Sequence, residues 1–84
     1  MGLPNQPVTL TVEQIDDLNR KLSTMRHDVN NHLSLLMAAI ELVRFKPDMT
    51  GKMLDSMTQQ PPKVTAIVNQ FSEEFEKTFG ITRL

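Results

Sequence analysis

IDDLNRKLSTMRHDVNNHLSLLMAAIELV, residues 15–43, decides the fold of this chain. Its apolar residues Ile15, Leu18, Leu22, Met25, Val29, Leu33, Leu36, Ile40 and Val43 recur at alternating steps of three and four, the signature of a helical heptad. Taking Ile15, Leu22, Val29, Leu36 and Val43 as the a stripe puts Glu13, Arg20, His27, Ser34 and Glu41 on the stripe farthest from it, all of them polar. His27 is therefore expected to face solvent. Asn31 lies one turn farther on and only about 40° around the helix, within reach of a group on the imidazole. His32 sits roughly 140° from His27, at a d position where the expectation is a buried, hydrogen-bonded histidine.

Outward from this stretch, both ends of the first helix are readable. Thr11 with Gln14 three residues on forms a capping box, and Leu10 is placed to pack on Ile15 as a hydrophobic staple. Pro47 ends the helix near Phe45 or Lys46, because the residue before a proline avoids helical angles. Lys46-Pro47-Asp48 is a short connection, which implies an antiparallel neighbour. That second helical segment carries Met53, Met57, Val64, Ile67, Val68, Phe71 and Phe75 and stops at Gly80, a residue suited to a left-handed cap. Pro61-Pro62 interrupts it, and two residues without an N–H in a helix interior predict a break or a distinct kink, beside roughly residues 33–34 of the first helix.

The fold expectation is an all-α antiparallel helical hairpin, residues 11–80, behind a flexible lead-in of residues 1–10 rich in glycine and proline and ahead of a short C-terminal tail, residues 81–84. Beside the a/d seam the upstream half of the first helix carries Asn19, Lys21, Arg26 and Asp28, whereas the downstream half carries Leu33, Leu35, Ile40 and Leu42. One hairpin cannot cover so broad a stripe, so pairing of two hairpins as a four-helix homodimer is expected. A single core from 84 residues contributes only about 3–5 kcal/mol, so association would help.

Composition excludes several classes. With no cysteine there is neither a disulfide nor a thiolate metal site, which fits a reducing cytoplasm. A net charge of −1 gives no field to attract nucleic acid or an anionic membrane. No apolar run approaches the roughly 20 residues that span a bilayer, and the first residues lack a signal-peptide pattern, so the expectation is a soluble cytoplasmic domain. His27 and His32 are five apart and diverge, unlike an i, i+4 zinc pair, and no carboxylate cluster is arranged for magnesium, so no metal or cofactor is expected on this chain itself.

A histidine, an adjacent carboxylate and an amide one turn later, His27, Asp28 and Asn31, suggest phosphoryl chemistry on an imidazole. A neutral imidazole is a competent nucleophile near pH 7, and phosphoryl transfer asks mainly for positioning and charge balance. Asp28 is the candidate acid to fix the ring tautomer and stabilise developing positive charge, provided its rotamer spans the roughly 100° between neighbouring side chains. Asn31 is placed to donate to a phosphoryl oxygen or orient water. Arg20 and Arg26 add local positive charge, or are simply solvated basic residues.

Arg26-His27-Asp28-Val29-Asn30-Asn31-His32-Leu33, followed by Ser34-Leu35-Leu36 and the apolar helix to Val43, resembles the H-box of the dimerisation and histidine-phosphotransfer domain of two-component sensor histidine kinases. The resemblance covers roughly residues 11–80, with its sharp part in about 18 residues. It implies that His27 is the phosphoacceptor, Asp28 the acid that activates it and Asn31 an aid to kinase or phosphatase chemistry. It also implies a response-regulator receiver domain as partner, and a kinase ATP-binding domain acting in cis or trans. Glycines at 2, 51 and 80 cannot form the glycine-rich boxes of such a domain, so ATP and magnesium are expected only through partner domains. Such a chain is a phosphoacceptor domain from a larger kinase or a small phosphotransfer protein, with transferase chemistry but no autonomous kinase activity. The alternative is a non-catalytic helical scaffold with His27, Asp28 and Asn31 as polar surface.

Overall fold

A computed structural model describes residues 2–82; Met1 and the last two residues of the expected tail lie outside the described residues. The chain is an all-α hairpin of α1 (Val12–Phe45), a 3₁₀ turn (Pro47–Met49) and α2 (Thr50–Phe79). It is a single layer of two helices, with Cα extents of 59 × 28 × 12 Å.

The ends of α1 follow the sequence. Thr11 Oγ1 accepts from the Gln14 backbone N–H at 3.1 Å, and Gln14 Oε1 accepts from the Thr11 N–H at 2.8 Å, so two of the amides orphaned at a helix start are satisfied reciprocally. At the other end the Lys46 N–H still reaches Leu42 O at 2.7 Å before Pro47 ends the ladder. Thr50 Oγ1 donates to Pro47 O at 2.6 Å and ties the turn to the start of α2. Gly80 closes α2 at φ 68°, a left-handed setting, and the Glu76 carbonyl accepts from the N–H groups of both Gly80 and Ile81. The lead-in is anchored at its start, where Gly2 and Thr82 exchange two backbone hydrogen bonds of 2.7 Å.

Of the two outcomes expected at Pro61-Pro62, a break or a distinct kink, the break does not occur. Both prolines lie inside α2, which runs from Thr50 to Phe79 as one helix. They leave the carbonyls of Met57 and Thr58 without their i+4 donors, at a cost on the order of 3 kcal/mol per proline. A break would cost more than the lost bonds, because the heptad pairs Met57 with Val64 and Phe71, and Met53 with Gln60 and Ile67, on both sides of the interruption. Keeping them on one face requires an unbroken helix. Both rings are exposed, so they meet solvent instead of α1.

Contact between the helices is narrow. Leu18, Met25, Val29, His32, Leu36 and Val43 are half-buried, and only Ala39 and Gln60 are buried among the described residues. The d stripe and the lower a stripe of α1 therefore face α2. Leu33, Met37 and Ile40 stay 47%, 59% and 43% exposed, and on α2 Leu54, Val68 and Phe75 stay 40–52% exposed. These last three share a seven-residue spacing with Pro61 and form a second apolar stripe beside the seam.

Candidate functional site

His27 and Asn31 lie in the middle of α1, on its exposed side. The Asn31 side-chain nitrogen stands 3.4 Å from His27 Nε2. The amide N–H can donate to Nε2 in the neutral tautomer that carries its proton on Nδ1, which leaves the Nε2 lone pair facing Asn31. At the long end of hydrogen-bond range the contact holds that nitrogen loosely. The exposed one-turn pairing expected from the helical period is thus present, with the amide on the ring itself.

Asp28 lies elsewhere. It is half-buried and lines a groove of about 340 Å³ between the helices, floored by Met25, Ile67 and Phe71. Among the described residues no hydrogen bond joins Asp28 to His27, because the face of α1 that meets α2 in its upper half takes residues 17, 21, 24 and 28 and leaves residue 27 outside. An acid-base role for Asp28 therefore requires a rotamer change that brings its carboxylate out of the groove to the ring.

The neighbouring charges are mostly engaged with each other. Arg20 Nε pairs with Asp16 at 3.2 Å, both well exposed. Lys21 Nζ reaches Asp17 and Glu74 at 2.9 Å each, the second pair bridging the helices. Hydrogen bonds donated by Lys21 to Asp17 and then to Glu74 raise the Lys21 pKa above its ordinary value, and the bond from Lys21 holds Glu74 below the usual carboxylate range. These exposed pairs contribute little to stability. Arg26 is exposed, one residue before His27.

His32 is half-buried and hydrogen-bonded, its Nδ1 lying 2.6 Å from Gln60 Oε1. Since an amide oxygen only accepts, Nδ1 carries a proton. Gln60 Nε2 in turn donates to the Ser56 carbonyl at 3.3 Å, which fixes the amide's orientation. Sequence reasoning passed over Gln60. Its signal was there: a polar residue midway between Met53 and Ile67, at a core position of the α2 heptad, opposite a histidine at a core position of α1.

Among the described residues no group of three histidine, cysteine, aspartate or glutamate side chains is arranged to hold a metal ion, and no helix is long and apolar enough to cross a membrane. Comparison with known proteins finds no match for this chain among protein-family models, curated proteins or solved structures.

Proposed function

We propose that this chain is a cytoplasmic histidine phosphoacceptor domain of a two-component system, phosphorylated on His27 and exchanging that phosphate with the aspartate of a response-regulator receiver. The observation that carries the reading is the exposed His27 ring at mid-helix with the Asn31 amide 3.4 Å from Nε2. The Nε2 lone pair, once released from the Asn31 amide, is the nucleophile. Nε2 attacks the γ-phosphorus of ATP presented on a separate kinase domain, the bond to the β-phosphate oxygen breaks, and ADP leaves with the electron pair. In the onward step a receiver carboxylate oxygen attacks the same phosphorus, the N–P bond breaks and the imidazole is released. Magnesium and ATP belong to the partner domains in both steps. Asn31, already at the reacting nitrogen, is placed to donate to a phosphoryl oxygen as the ring gives up its amide contact. Asp28 contributes after a rotamer change, as hydrogen-bond acceptor for Nδ1–H.

The functional unit in this proposal is a four-helix homodimer. Its support is the apolar surface that one hairpin leaves open, Leu22, Leu33 and Ile40 on α1 and Leu54, Val68 and Phe75 on α2. A scaffold without chemistry is the competing reading, favoured by the position of Asp28 in the groove away from the ring.

Incubation with a kinase ATP-binding domain and magnesium ATP, or with a phosphorylated receiver, tests the two readings. The expected product is an acid-labile, base-stable phosphoryl group that His27→Ala abolishes. Equal labelling of wild type and His27→Ala would reject the site, and a stable monomer at micromolar concentration by mass measurement would reject the dimer.

A further inference from the structure

Three features of α2 meet at one height. Pro61 and Pro62 remove two successive rungs of the helix ladder. The residue immediately before them, Gln60, is the one buried polar side chain among the described residues, at 5% exposure. Its amide oxygen takes a 2.6 Å hydrogen bond from His32, one residue past Asn31 and five past His27. A helix missing two adjacent rungs opens most readily there, since local opening follows the density of backbone hydrogen bonds and buried contacts. Packing does little to oppose it: Pro61, Pro62, Lys63, Thr65 and Ala66 are exposed, and Val64 is half-buried. What joins this weak turn to α1 is a directional, partly buried hydrogen bond, and such a polar contact fixes register where apolar contacts slide.

We propose that α2 is hinged at Pro61-Pro62 and that the His32–Gln60 hydrogen bond is the latch coupling this hinge to the turn of α1 that carries His27 and Asn31, so that the setting of α2 regulates the site. The regulatory half rests on the phosphoacceptor reading, whereas the latch stands on the geometry alone. Bending of α2 breaks or strains the bond to His32. Release of His32 lets the 27–32 turn rotate, which alters the 3.4 Å contact of Asn31 with Nε2. His32 and Gln60 are thus positioning residues that touch neither phosphate donor nor acceptor.

Amide hydrogen exchange on the whole chain tests the latch without any phosphoryl chemistry. The variants are Gln60→Leu, which removes the acceptor; Gln60→Glu, which keeps an acceptor oxygen; and Gln60→Leu combined with Pro61→Ala/Pro62→Ala, which restores the missing rungs. Gln60→Leu is expected to speed exchange at least tenfold at residues 63–66 of α2 and 29–33 of α1, leaving residues 16–20 and 70–74 unchanged. Gln60→Glu and the triple variant are expected to return both segments to within threefold of wild type. Unchanged or slower exchange in Gln60→Leu would overturn the latch, because an apolar side chain would then simply pack better. A uniform rise along both helices, or failure of Gln60→Glu to restore, would overturn it too. The phosphoryl arm separates the two claims. A wild type that takes label on His27 while Gln60→Leu alters the rate tenfold, with recovery in the triple variant, supports regulation. Equal rates overturn it, and an unlabelled wild type overturns regulation together with the phosphoacceptor reading while the exchange data decide the latch.

Discussion

Replacing Pro61 and Pro62 by alanine should stabilise this protein, an unusual sign for a double substitution inside a helix. The two new N–H groups sit four residues beyond the Met57 and Thr58 carbonyls, in a helix that already runs unbroken through this point. Two restored hydrogen bonds at a net value of about 1 kcal/mol each set a lower expectation of about 2 kcal/mol. The intrinsic penalty of proline against alanine in a helix interior, about 3 kcal/mol per residue, sets an upper one of about 6 kcal/mol. Both rings are exposed, so their removal leaves no cavity against α1. For a domain of this size the lower figure corresponds to a rise in Tm of about 8 °C or more. Urea unfolding followed by the helical circular dichroism signal measures it, at one fixed protein concentration because an associating chain gains stability with concentration. The midpoint should move up with the slope m unchanged, since the surface exposed on unfolding is the same. An unchanged or lowered midpoint would refute the reasoning and show that the Met57 and Thr58 carbonyls are as well satisfied without the ladder as with it.

Thr11→Ala removes the acceptor for the Gln14 N–H and half of the capping box, and should lower stability by about 1 kcal/mol in the same urea experiment. Glu74 has its pKa lowered chiefly by the hydrogen bond from Lys21, so its contribution is present above the ordinary carboxylate value of 4.5 and disappears as pH falls through its lower folded value. Glu74→Gln should therefore flatten the acid limb of the stability profile below pH 4.5, and the alkaline loss from the raised Lys21 pKa should begin only above 10.5. Asp28→Asn should slow phosphorylation of His27 about 100-fold if the carboxylate swings to the ring during reaction, while ¹⁵N spectra of the resting protein show an unchanged His27 tautomer.

Much of the fold is local physics and was readable as such. The capping box at Thr11, the stop at Pro47 and the left-handed Gly80 each depend on a few neighbouring residues, and each is found where its residues place it. The pairing of His27 with Asn31 needed only the 3.6-residue period. That the helix continues through Pro61-Pro62 is not local in the same way, because the cost of the prolines is set against a non-local gain, the alignment of Met57, Val64 and Phe71 on one face. Asp28 was hard to place for a similar reason: its adjacency to His27 is a fact of sequence, but its rotamer answers to the groove that α2 creates with Ile67 and Phe71. Gln60 gains its meaning only from the antiparallel register that sets it opposite His32.

In the proposed function phosphate arrives on one particular nitrogen of one histidine. Correlated ³¹P and ¹⁵N spectra of the chain after incubation with a phosphorylated receiver domain test it most directly. Nε2 of His27, the nitrogen faced by the Asn31 amide, is the position predicted to carry the phosphorus. A phosphoryl group on Nδ1 of His27, on His32, or on a His27→Ala variant would contradict the account.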